Sequence, residues 1–379
     1  MDCCSTQTLH KSKRRTVSVI KLKRRSAARG WERSSILPGT IKRRRVLQGL
    51  AGTAVALSLH SCQPSTQQTK QQLKKVKMGF CSYLICAIPF EVARKHSFFA
   101  EEGLEIDLIY LRGGVAPIQA LVGGAVDYGA GSFDAVLQAV AKGAKIQRFV
   151  STSTTPHSTL VTSPSKASTL TQLKDLEGQT VGVGELGGSA QNTVTYMMKR
   201  EGADPERVKF ALLGPNIYDA VRLGQVDAAM VNEPATTLLL QAGSRALVTL
   251  SDPEQAKRFL GGRLEGMGVA VRTSEREQRL DEMHRIARSL DMCVKFMATV
   301  SNSILIDAVP RELIAGGRRD VFEAALKRDR KSLIPTSIAV QPDAAQRAED
   351  LLVFAGKIKK GEVNIKDAID LSIVGGQGA

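Results

Sequence analysis

Two stretches one hundred residues apart follow the same plan, and this repeat constrains the fold more than any single motif. Residues 120–133 read ALVGGAVDYGAGSF, and residues 220–233 read AVRLGQVDAAMVNE. Alanine, glycine, valine and aspartate coincide at 120/220, 124/224, 126/226 and 127/227. Each copy reads as a helix stopped by glycine, a Val-Asp step, and a strand whose tip carries polar residues. Glycine suits the stop because it adopts the left-handed backbone that closes helices. Upstream, Gly103 and Gly202 each close a helix ahead of a strand, over 106–111 and 208–213. Two lobes built on related plans are expected.

The flanking pattern gives the fold class. Strands are predicted over 75–80, 105–111, 126–130 and 146–151, with helices over 88–102, 114–123 and 135–141 between them. Such alternation indicates an α/β fold with a mostly parallel sheet. Ligands of open α/β sheets gather beyond the carboxyl ends of strands. The equivalent tips are Gly131-Ser132-Phe133 and Val231-Asn232-Glu233-Pro234, and facing lobes would make them two walls of one cleft.

A glycine turn, Gly182-x-Gly184-x-x-Gly187, follows an apolar run and leads into a helical pattern. A dinucleotide site would need an acid at the end of the next strand. That strand ends at Gly214-Pro215, and no Gly-Lys-Ser/Thr of a phosphate loop follows the glycines. What remains is a backbone-lined ligand site at a helix start, or a turn that only fits helix to sheet.

The charge of +16 is concentrated at one end. Residues 1–62 hold 14 Lys/Arg against 2 Asp/Glu, which leaves 39 against 35 for the rest. A nearly balanced body without a basic face argues against a nucleic-acid partner. Lys42-Arg43-Arg44-Arg45-Val46-Leu47 precedes an uncharged run to Leu59, and then Leu59-His60-Ser61-Cys62. The run is too short to span a bilayer, which takes roughly 20 residues. Basic, apolar and processing segments in that order make an export signal. It resembles a twin-arginine signal with a lipobox, and Cys62 as the lipidated residue. His60 departs from the small or aliphatic residue usual there. The depth of the signal suggests a start codon assigned about 35 residues early. Residues 63–75 are polar and read as a flexible tether. Beyond them only Cys81, Cys86 and Cys293 remain, with no CxxC, so neither a disulfide framework nor a metal site follows.

Catalytic machinery is sparse. Glu233 could act as a base, but this needs a partner within hydrogen-bond reach. His96 and His284 fall in helices, whereas His157 falls in a crossover and could reach the cleft. There is no HExxH and no Gly-x-Ser-x-Gly. Tyr83 and Phe133, just past strand tips, contact a ligand or pack beneath their own loops.

The segments Phe98-Phe99-Ala100-Glu101-Glu102-Gly103-Leu104, Leu121-x-x-Gly124-x-Val126-Asp127, Leu173-Lys174-Asp175-Leu176-x-Gly178 with Val181-Gly182-Val183, and Gly224-Gln225-Val226-Asp227-Ala228 through Glu233-Pro234 together resemble the substrate-binding proteins of nitrate/sulfonate/taurine-type ABC importers. The resemblance runs from Val76 to the C-terminus. It implies a type-II periplasmic binding protein fold: two α/β lobes, two crossovers, and a ligand closed between them. Lobe one would comprise 76–160 and 264–379, lobe two 161–263. Ligand contacts implied by the resemblance are Ser82, Tyr83, Gly113, Gly114, Ser132, Phe133, Gly188, Ser189, Ala190, Gln191, Asn232 and Glu233. The implied protein is a monomer without cofactor or catalytic activity. It is anchored to the membrane through Cys62 and delivers a small solute to an ABC permease and its ATPase. Because Glu233 would repel a bare anion, a taurine-like zwitterion or a thiamine-pyrimidine-like heterocycle suits it. The alternative is a cofactor-independent enzyme on the same fold, of menaquinone- or thiamine-pathway type.

Overall fold

A computed structural model describes residues 72–81, 85–111, 113–154, 156–314 and 318–375. Its strands, in chain order, are β1 (Lys74–Cys81), β2 (Leu104–Leu111), β3 (Tyr128–Ser132), β4 (Ile146–Ser151), β5 (Ser158–Thr162), β6 (Thr180–Val183), β7 (Lys209–Leu212), β8 (Ala228–Asn232), β9 (Ala246–Thr249) and β10 (Met267–Arg272). They form two five-stranded sheets, β2-β1-β3-β10-β4 and β7-β6-β8-β5-β9. In the first, β1 runs parallel to β2 and β3, and β10 is antiparallel to β3 and β4. In the second, β6 runs parallel to β7 and β8, and β5 is antiparallel to β8 and β9. The sheets share one topology. Each has an antiparallel strand in fourth place, supplied by a segment that has just crossed from the other lobe.

The sequence repeat has a structural cause. Asp127 Oδ2 accepts the backbone N–H of Lys77 at 2.8 Å, and the Asp127 N–H returns a bond to the Lys77 carbonyl at 2.9 Å. Asp227 does the same with Thr180, at 2.8 and 2.9 Å. Each aspartate thus fastens the start of a strand to its parallel neighbour, β3 to β1 in one lobe and β8 to β6 in the other. Gly124 and Gly224, at φ +75° and +70°, make the left-handed helix stop ahead of it.

The helix predicted over 88–102 is two helices, Ile88–Lys95 and Phe98–Glu101. Ser97 breaks it with φ 64°. The strain is offset by packing, since the break lets His96 and Phe98 close on Phe296 with ring centroids 4.6 and 5.4 Å away. The strand predicted over 126–130 lies two residues later, because Val126 and Asp127 belong to the turn.

Helix Leu280–Thr299 buries Met283, Ile286, Leu290, Cys293 and Met297, a stripe at helical spacing. It packs with Ile88–Lys95 and with Phe322 and Leu326 of helix Arg319–Leu333 against the first sheet. Helix Pro342–Phe354 is placed differently. Its buried Ala345, Ala348, Leu351 and Leu352 join one core with Val136 and Leu137 of helix Phe133–Ala141 and with Val194 and Met197 of helix Ser189–Arg200. It therefore touches both lobes. Among the described residues no helix is long and apolar enough to cross a membrane.

Candidate functional site

On the first-lobe side, β2 gives way to Gly113-Gly114-Val115, and β3 ends at Ser132. Ser132 Oγ accepts the N–H of Ala135 at 3.4 Å and caps helix Phe133–Ala141. On the second-lobe side, β6 leads through Gly184–Gly188 into helix Ser189–Arg200. The two sides meet at a residue that sequence reasoning missed. Glu185 Oε2 accepts the N–H of Gly114 at 2.9 Å and that of Val115 at 3.3 Å. Gly113 has φ +82°, and a Cβ there would stand 2.7 Å from the Glu185 carboxylate, so the approach needs glycine. A Cβ on Gly188 would lie 3.2 Å from the same Oε2, and one on Gly114 would lie 3.5 Å from Ser132 Oγ. Gly113, Gly114 and Gly188 therefore surround one carboxylate, and Ser132 Oγ lies against Gly114. The available signal was an acidic residue set between glycines at a strand tip.

The rest of the lobe-two turn is held by side-chain amides. Gln191 Oε1 accepts the N–H of Gly187 at 2.7 Å. The Gly187 carbonyl accepts from Asn192 Nδ2 at 3.2 Å and, across the lobes, from Gln138 Nε2 at 3.3 Å. Ser189 is exposed and Ala190 half-buried. Asp134 is 6% exposed and sits beside Ser189 and Asn192. Burial raises its carboxyl pKa, and hydrogen bonding from Asn192 and Ser189 opposes the rise.

At the other tip, Asn232 ends β8 opposite Ser158. Glu233 is 1% exposed, and its bond to Pro234 is cis. Its Oε2 accepts the N–H of Thr237 at 3.2 Å, and its Oε1 meets Arg328 in an ion pair. Arg328 belongs to helix Arg319–Leu333, which packs on the first lobe, so this pair also crosses between lobes. A donor-bearing ligand is required there only where the Glu233 charge is otherwise uncompensated. Arg328 supplies that compensation from within the chain.

Phe133 is fully buried beneath its own helix, with the Arg148 guanidinium 5.4 Å from its ring centroid. His157 is buried in the first crossover, with Nε2 3.0 Å from Ser153 Oγ. Burial holds its pKa down to about 4, against the pull of Asp329. Ser82, Tyr83 and Cys62 lie outside the described residues. Cys81 and Cys86 are free thiols with sulfurs 3.8 Å apart, and Cys293 Sγ donates to the Pro89 carbonyl. Among the described residues, no group of three or more His, Cys, Asp or Glu side chains could hold a metal ion. A hollow of about 920 Å³ lies elsewhere, bordered by Phe354, Val363 and Ile369, and shares no lining residue with the cleft.

The fold has counterparts among known proteins. The NMT1/THI5 like family profile matches residues 86–256. A structure from Bordetella bronchiseptica RB50 superposes with a TM-score of 0.73 at 22% identity, over 79% of this chain and 95% of that one. The alkanesulfonate-binding protein SsuA from Xanthomonas axonopodis pv. citri, bound to MOPS, gives 0.62 at 17% identity, over 78% and 98%. The periplasmic nitrate-binding protein NrtA from Synechocystis PCC 6803 gives 0.58 at 10% identity, over 80% and 87%. No curated protein sequence matches significantly. Residues 86–256 thus carry the sequence pattern of the NMT1/THI5 like family, on a chain that has the two-lobed periplasmic binding protein fold.

Proposed function

We propose that this chain is the extracytoplasmic solute-binding component of an ABC importer. It closes its lobes on a small oxyanion-bearing solute, of the alkanesulfonate, nitrate or taurine class, and presents it to a membrane permease. A thiamine-pyrimidine-like solute is the second candidate, from the resemblance of the matched segment. The observation that carries the reading is the pair of backbone N–H donors at Gly114 and Val115, facing the other lobe and spaced to donate to one carboxylate oxygen. Backbone donors hold an oxyanion without a full salt bridge, and closure between lobes removes it from water. In this reading residues 42–62 direct export, Cys62 carries the lipid anchor, and 63–75 form the tether of a monomeric receptor. No chemistry is required of the chain. Glu185 and Glu233 are both engaged by donors of the protein itself, and His157 is buried with its Nε2 against Ser153 Oγ.

Thermal unfolding of the chain against ethanesulfonate, taurine, nitrate, bicarbonate, an aminopyrimidine and NAD tests this. A true ligand at a hundred times its dissociation constant adds about 2.7 kcal/mol of stability, which is roughly 2–4 °C in a chain of this size. A shift with one small solute is the expected result. A shift with NAD alone, or with none of the panel, overturns the reading.

A further inference from the structure

Glu185 occupies the backbone donors that the binding reading assigns to a ligand. Its carboxylate crosses from the second lobe to the N–H groups of Gly114 and Val115 on the first, at 2.9 and 3.3 Å. The cradle around it is made of positions without side chains, Gly113, Gly114 and Gly188. Gln191, Asn192 and Gln138 hold the turn at Gly187, so the carboxylate leaves its donors by rotating the Glu185 side-chain torsions. Glu185 is half-buried, so water is within its reach once it leaves.

We infer that Glu185 is an internal competitor for the ligand and so a specificity-determining residue, an inference that rests on the binding reading above. Without ligand, its carboxylate bridges the lobes through the donors that an incoming oxyanion needs. Two anions cannot share one pair of N–H donors in a partly dry cleft without strong repulsion. A binding oxyanion therefore displaces Glu185 into solvent and takes over the bridge. Wild-type affinity is lowered by the fraction of molecules in which the donors are occupied. The residue thereby screens ligands, since a solute that cannot replace the carboxylate on those donors gains no foothold.

The test compares the full-length chain with Glu185→Ala and Glu185→Gln, in a buffer free of sulfonates. Ethanesulfonate and MOPS are titrated calorimetrically, and hydrogen exchange is followed over residues 113–122 without ligand. The alanine variant is expected to bind at least one of the two probes about tenfold more tightly and to exchange faster at 114 and 115. The glutamine variant is expected to fall between. Exchange in β6 should be unchanged, which separates the effect from loss of folding. Equal or weaker binding by the alanine variant, or unchanged exchange at 114 and 115, overturns the inference. If none of the three proteins binds either probe, the binding reading fails for sulfonates and exchange decides the bridge. Faster exchange keeps Glu185 as the interlobe contact, and unchanged exchange removes it.

Discussion

Asp127 and Asp227 do the same work in the two lobes but have different neighbours. Asp127 also accepts from Arg279 at 2.7 Å, and that guanidinium reaches Glu275 and Glu282 and lies over the Tyr128 ring. Glu282 is buried and accepts the Tyr128 hydroxyl at 2.7 Å. Among the described residues, Asp227 adds to its backbone bonds an ion pair with Lys166 at 3.3 Å. Asp227→Ala should cost about 1–2 kcal/mol and Asp127→Ala about 2–3 kcal/mol, read by urea unfolding. Equal losses would show that the Arg279 cluster adds nothing. The Glu233–Arg328 pair gives a sharper contrast. Arg328→Met leaves the buried Glu233 carboxyl without its cation; because the Arg328 side chain is 36% exposed, the expected loss sits at the low end, about 3 kcal/mol. Glu233→Gln in that background should recover most of it, and no recovery would mean that the pair is not the source. The aspartates were legible because they recur at a fixed offset and act within their own lobe. Glu185 and Arg328 were not, because each finds its partner in the other lobe; Gly114 is 71 residues from Glu185 in the chain.

In and just after the glycine turn, different positions need glycine for different reasons. A Cβ at Gly182 would press on Leu213 Cδ1 at 2.5 Å, so this glycine fits strand to neighbour. Gly188, further along, faces the Glu185 carboxylate. A fingerprint read as one unit cannot make that division, because it depends on which elements lie alongside. Helix limits were misplaced for a similar reason: the Ser97 break is stabilised by Phe296, from a helix nearly two hundred residues later. The first crossover makes its own prediction. His157 has a folded pKa of about 4, below its ordinary 6.5, with Asp329 the acidic group facing it. Between those values the unfolded chain binds more protons than the folded one, so stability falls as pH drops from about 6.5 toward 4 and stops falling on this account below that. His157→Gln should flatten that segment of a plot of urea midpoint against pH. A slope unchanged in the variant would assign the effect to other groups.

At the scale of the molecule, the repeat and the strand–helix alternation carried the two-lobed architecture, since both depend on local pattern. They did not reveal helix Pro342–Phe354, which closes one core across both lobes; an amphipathic stripe shows that a helix is buried but not what buries it. The strand exchange has a consequence for the order in which the protein can be made. All five strands of the second lobe come from one uninterrupted run, 158–249, whereas the first lobe leaves a gap between β3 and β4 that only β10 fills. On a chain emerging from the ribosome, where folding proceeds as segments become available, the second lobe can close its sheet while the first still waits for residues 267–272. The lobe synthesised first is completed last, and for that interval β3 and β4 present unpaired edges of the kind that recruit foreign strands.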